Sequence, residues 1–395
     1  MKPGSDPAAC ASLRRDVLSR LGGAEAAVAE VLGYCESPFV SVQVPRPVFP
    51  LSDEPHVEDW RRYAAEAGSR VFEYLQERLP QLSIPVCEGV SKTAAWTGVV
   101  LAGKPFRAED FGGRLSLERP EQVSLFIHEH PAGALPVIVA GHRGDFETLV
   151  RALAARGEPV PIGAAVNAQM VAGFINWDRL GRYREGWLRH APPGSGDRGW
   201  PQEMARLGTS ERWRFQDRFV LICAGPYSGV PAPDLGLEMD EQEWIEASTR
   251  LRVEHEFTHY ATKRVFGCMS LNLLDETLAD FMGITYALDT FRAAWYLRFL
   301  GLDDGPGGPE ARPDGRIHTY ASELSPPAFA LLCAVTVEAA RALETLWGRF
   351  YSPSERGRFL LALAGMTLEI LASEEATALF RESYEAAGRL AGAGR

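Results

Sequence analysis

No Cys-x-x-Cys pair occurs in this 395-residue chain, although it has six cysteines. Cys10, Cys35, Cys87, Cys223, Cys268 and Cys333 stand singly, scattered as reduced core residues are. The first residues, Met1-Lys-Pro-Gly-Ser-Asp6, lack the apolar run of a secretory signal, and no segment reaches the roughly 20 apolar residues that span a bilayer. An excess of positive charge is also missing. The formal net charge is −11, which argues against nucleic acid and anionic membrane as partners. Gly141-His-Arg-Gly144 follows an apolar run but has neither the spacing nor the lysine of a phosphate-binding loop, and it reads as a turn. No internal repeat is visible. These absences predict a cytoplasmic globular protein, and its 46% hydrophobic content suffices for one large core or two moderate ones.

The periodicities predict an α+β chain. Helical spacing runs over Leu13–Leu32 and Val57–Leu79, with a proline-punctuated extended stretch over Val40–Phe49 between them. β-Branched and apolar runs predict strands at Ala94–Ala102, Gln122–His128, Leu135–Ala140 and Phe219–Ala224. A helix from Gly144 to about Arg156 takes Asp145 as its cap. The segment 191–201, Ala-Pro-Pro-Gly-Ser-Gly-Asp-Arg-Gly-Trp-Pro, is the best boundary. It separates a mixed α/β region over residues 1–200 from a region over 201–395 with a mostly helical C-terminal lobe. Helices are expected there over Pro327–Phe350 and Ser352–Ala391, the latter opened by Ser352, Pro353 and Glu355. Gly301–Arg316 reads as a mobile loop. His128 and His130 share one face at a strand end, where such pairs are more often structural than metal-binding.

The chemistry concentrates at His255-Glu-Phe-Thr-His259 and Glu276-Thr-Leu-Ala-Asp280. A bare His-Glu-x-x-His arises by chance in about one chain of this length in a hundred, so context decides. Asp240 with Glu243 makes a capping box and Gly267 a stop, predicting one helix over Asp240–Phe266. Trp244, Ser248, Leu251, His255, His259 and Thr262 fall at three- and four-residue steps, which puts both histidines on an inward stripe. Two imidazoles on one face suit one ion, and Glu256, one residue round, is placed to take a proton from water. A second helix, Asn272–Leu300, brings Glu276, Asp280 and Gly283 onto one face. Glu276 can supply a third ligand and leave the fourth position open, as catalytic zinc requires. Asp280 can accept the remaining N–H of a ligating histidine, and Gly283 lets the two helices approach closely.

This combination resembles the zincin metallopeptidases of the gluzincin kind, over about residues 215–300. The resemblance implies one zinc ion per chain held by His255, His259 and Glu276, with Glu256 as general base and Asp280 orienting a histidine. It also implies an edge strand over the cleft, for which Phe219–Ala224 is the candidate. A His or Tyr of the C-terminal lobe would steady the oxyanion. His318 and Tyr320 are the downstream candidates, and Tyr227 is another. Arg252 stands where a small β-branched residue is common, and no Gly-x-Met-Glu-Asn segment marks an aminopeptidase. Two histidines and a carboxylate also suit iron, but an iron triad leaves Glu256 without a task. A di-iron site would need a second Glu-x-x-His, which the chain lacks. Secreted zincin proteases usually carry an inhibitory propeptide, and none is seen, so a narrow range is expected: a peptide or peptide-like small molecule. The alternatives are a biosynthetic or tailoring enzyme using zinc or iron on a small metabolite, and a non-catalytic interaction protein on a zincin scaffold.

Overall fold

The computed structural model describes residues 7–37, 39, 49–190, 199–269 and 272–388. Nearly all of the stretch Val40–Phe49 and of the 191–201 segment lies outside the described residues. The chain is α+β and forms two compact units, one of Met1–Leu51 with Gly225–Arg395, the other of Ser52–Ala224. This differs from the expected division at 200/201. The first 51 residues join the C-terminal part because their polar groups find partners there. Arg14 Nη2 pairs with the buried Glu369 at 2.8 Å, and Tyr34 Oη donates to Tyr320 O at 3.0 Å while accepting from Leu273 N at 2.8 Å. Such pairings across some 240 to 355 residues leave no local trace in the sequence.

The Ser52–Ala224 unit is built on a four-stranded sheet of β1 (Val123–His128), β2 (Leu135–Ala140), β3 (Ala168–Ile175) and β4 (Gln216–Cys223). The order is β1-β2-β4-β3, with β2 and β4 parallel and the outer pairings antiparallel. Both inner strands are apolar runs, as strands covered on two faces must be. β4 therefore corrects the expectation that Phe219–Ala224 is a free edge: both its sides are already hydrogen-bonded, so no substrate strand can add to it. Helices over Val57–Ala67, Val71–Arg78 and Arg143–Leu153 contribute Trp60, Tyr63, Leu75 and Phe146 to a core with Ile138 and Phe219. Gly68, at φ 56°, breaks what reads in sequence as one helix over Val57–Leu79. Ala94–Ala102 is not a strand. Thr93 Oγ1 accepts from Trp96 N at 3.1 Å and starts a helical turn that continues as a π turn over Thr97–Leu101. Trp96, Val99 and Val100 then bury together, so the run meets its apolar partners locally rather than across a ladder.

In the other unit, Pro7–Arg20 and Glu25–Tyr34 replace the single helix expected over Leu13–Leu32, the break falling at Gly22-Gly23. Gly301–Arg316 is more ordered than a loop: β5 (Leu302–Gly305) and β6 (Gly308–Ala311) form a hairpin. The helix over Pro326–Phe350 is as expected, capped by Ser325. The segment beyond Ser352 divides into shorter helices over Arg356–Ala364, Leu368–Leu371 and Ala376–Gly388. Among the described residues, no helix is long and apolar enough to cross a membrane.

Candidate metal centre

Two helices build the site, Glu241–Phe266 and Leu273–Leu288. The first has the caps its sequence announces: Glu243 N donates to Asp240 at 2.8 Å, Asp240 N donates to Glu243 at 2.9 Å, and Gly267 closes the helix at φ 72°. Asn272 starts the second by accepting from Asp275 N at 3.1 Å. This helix stops at Leu288, short of the expected Leu300, and a separate one runs over Ala293–Leu300. At Gly283 the two site helices touch. A Cβ there would stand 2.7 Å from Leu251 O, closer than atoms can pack, so any side chain would push the helices apart.

This close approach brings three donors together. His255 Nε2 and His259 Nε2 are 3.2 Å apart, and the Glu276 carboxylate lies 3.5 Å from the first and 3.6 Å from the second. A tetrahedron with metal–ligand bonds of about 2.0–2.1 Å has edges of roughly 3.3–3.4 Å. The closest approaches among the three side chains are near that length, the two to Glu276 running to different oxygens, Oε2 from His255 and Oε1 from His259. With one ligand atom taken from each residue, all three lie within 4.8 Å of one another. All three are buried, and among the described residues no other trio of His, Cys, Asp or Glu is so arranged.

The far side of each ring faces a carboxylate. His255 Nδ1 donates to Asp280 Oδ1 at 2.8 Å. His259 Nδ1 makes no aligned hydrogen bond but stands 3.3 Å from Asp275 Oδ2. Carboxylates on that side favour a proton on each Nδ1, so that in its neutral form each ring presents Nε2 as an acceptor toward the other and toward Glu276. Acceptors gathered this way, out of water, repel one another unless a cation lies between them. The donor set thus fits a divalent metal, and two imidazoles with one carboxylate suit zinc.

Charge in the pocket is predominantly negative. Asp275, Glu276 and Asp280 are buried, and Arg316 lies among them, 3.0 Å from Asp280 and 3.7 Å from Glu276. Burial works to raise the pKa of Asp280, but Arg316 and His255 outweigh it and hold the carboxyl down at about 2. Burial works to lower the pKa of His259, yet Asp275, Glu276 and Glu256 raise it to about 9. Glu256 alone, among residues 251–262, is only half-buried. It marks where the motif helix meets solvent.

The oxyanion candidates separate. Arg316 and Tyr320 are four apart across the single turn Ile317–Tyr320, and Arg316 Nε donates to Tyr320 Oη at 3.1 Å. Tyr320 is thereby held beside Glu276, and burial raises its pKa. His318 points elsewhere: it is exposed, its Nε2 is 3.0 Å from Arg312 O, and its ring stacks on Phe329. Tyr227 is buried, donates to Asp280 Oδ1 and sits 3.0 Å from His255 Nδ1, so it braces the carboxylate behind the histidine. Arg252 has a structural task. It reaches the Gly225 and Pro226 carbonyls at 3.2–3.4 Å, and with Arg316 it lies over the Tyr227 ring, 5.5 and 5.4 Å from the centre. Asp275 and Arg316 were not singled out by sequence. His128 and His130 have ring centres 6.4 Å apart, and among the described residues the pair is not part of a trio that could hold a metal.

Residues 16–375 match the model of a family of unknown function, DUF7005, and the chain belongs to that family. Comparison with curated proteins and with solved structures returns no match.

Proposed function

We propose that this chain is a zinc-dependent hydrolase that cleaves an amide bond in a narrow set of substrates. The carrying observation is the buried trio of His255, His259 and Glu276, which offers one ligand atom from each residue within 4.8 Å of one another. When bound there, zinc supplies a Lewis acid and brings the pKa of water toward about 7. Asp280, with Tyr227 behind it, fixes the tautomer and tilt of His255, and Asp275 does the same for His259. Glu256, the half-exposed neighbour of His255, takes the proton of the attacking water and returns it to the leaving nitrogen. Tyr320 accepts from Arg316 and keeps its own proton, which it can donate to the developing oxyanion. The half-exposed Glu256 also favours zinc over iron, since an iron triad has no use for it.

The inner position of β4 favours a second reading within the same chemistry. With both its sides paired, β4 gives no support to an extended peptide held by strand addition on that strand, which leaves a compact amide such as a short peptide or a metabolite as the second reading. The free state of all six cysteines supports a cytoplasmic location. Substituting Glu256→Gln is expected to keep one zinc per chain and a folded protein while lowering hydrolysis at least about 100-fold. Metal analysis and digestion of a peptide and amide library would read both effects. Full activity in that variant would remove Glu256 as base, and zinc retained by His255→Ala would remove the site.

A further inference from the structure

The metal centre is not the only place where unusual backbone collects. Among the described residues, three other than glycine have positive φ: Asp289, Ser228 and Arg156. Asp289 is an ordinary left-handed helix stop. Ser228 follows Tyr227 and accepts from Arg316 Nη1 at 2.8 Å, so it belongs to the metal centre. Arg156, at φ 59°, belongs to neither class. It lies in the Ser52–Ala224 unit, on the wall of a cavity of about 220 Å³.

Other irregular features line the same cavity. The π turn over Thr97–Leu101 contributes Val100 and Leu101. The bulge in β3 between Ala172 and Phe174, with Gly173 at φ 72°, forms another part of the wall. β3 is an edge strand, paired to β4 alone. Bulges and π turns are kept where a site needs a backbone re-aimed, since each gives up regular hydrogen bonding. Gln81, also on the wall, is 6% exposed; its Nε2 donates to Ile175 O at 2.7 Å, but its Oε1 meets no donor. The remaining lining is mainly apolar, with Ile84, Trp96 and Phe174 prominent. Over Trp96 lies the Arg156 guanidinium, 4.6 Å from the ring centre. Among the described residues it has no carboxylate partner.

We infer that this cavity is a second binding site, separate in kind from the metal centre, for a small aromatic carboxylate that carries an N–H or O–H donor. The apolar wall takes the ring, Arg156 the carboxylate, and the unpaired, buried acceptor of Gln81 the donor. The volume suits a ligand of on the order of ten to fifteen non-hydrogen atoms. Arg rather than glycine at a positive φ is strained, a strain that placing the guanidinium would justify.

Three probes test this on the full-length, zinc-loaded protein by calorimetry: indole-3-acetate, 3-methylindole without the carboxylate, and 1-naphthylacetate without the N–H. Indole-3-acetate is expected to bind one per chain, at least about tenfold more tightly than either analogue. Arg156→Gly suits the backbone and should fold at least as stably as the parent. It is expected to weaken indole-3-acetate about tenfold or more and leave 3-methylindole unchanged. Absence of saturable binding, or equal affinity in parent and Arg156→Gly, would overturn the site. So would loss of binding on zinc removal, which would place the acid at the metal.

Discussion

His259 is where the charge of the metal centre becomes measurable. Without metal, its carboxylate neighbours hold its pKa at about 9, above the ordinary 6.5. A folded-state pKa raised in this way adds stability that is complete below pH 6.5 and lost as the pH climbs through about 9. Zinc takes the place of that proton. Its affinity should therefore rise with pH from 6.5 to about 9, by up to roughly tenfold per unit, and calorimetric titration across that interval would show it. A flat profile would mean that this imidazole is not a ligand. Of the residues of the candidate site, the histidines and Glu256 are legible from the spacing of one helical motif, and Glu276 and Asp280 from their own four-residue step on the next helix. Asp275 was not, since it lies beside Glu276 and off the face shared with Asp280. Arg316 was not, because a helix end, a further helix and a hairpin separate it from the carboxylates it pairs with.

At the scale of elements, what reads correctly is what local chemistry decides. Asp240, Glu243 and Gly267 announce the motif helix because capping bonds join residues three or four apart. Ala94–Ala102 was misread because an apolar, β-branched run suits a strand and a buried helical turn alike, and only tertiary partners choose between them. Phe219–Ala224 was recognised as a strand, but whether a strand is central or at an edge depends on neighbours distant in sequence. Gly283 shows the opposite case, a single residue whose role is readable and has a large consequence. Gly283→Ala places a methyl against Leu251 O, and overpacking of this kind typically costs about 1–3 kcal/mol. Thermal melting should show that loss, with weaker zinc binding as Glu276 moves back from the histidines. An unchanged melting temperature and zinc affinity would show that the helices do not depend on this contact.

The whole molecule divides differently from its sequence. A boundary rich in Pro, Gly and Ser is conspicuous at 191–201, yet the units meet at Leu51/Ser52 and Ala224/Gly225. What the sequence hides is that residues 1–51 group with the unit that carries the candidate metal centre. A fragment of residues 52–224 keeps its main core and two smaller clusters whole and is expected to unfold cooperatively by itself. A fragment of residues 201–395 loses Arg14 and leaves Glu369 buried without its cation, a loss of about 3–5 kcal/mol, as well as the helix carrying Tyr34. It should fail to give a folded, zinc-binding protein; a stable zinc-binding 201–395 fragment would refute this division.

All of this turns on whether the triangle of His255, His259 and Glu276 holds a metal. Zinc-edge X-ray absorption of the purified protein measures that most directly. One zinc per chain is expected, four-coordinate, with two imidazoles and only oxygen besides at about 2.0–2.1 Å. Sulfur near 2.3 Å, a six-oxygen shell, or no bound zinc at all would contradict it.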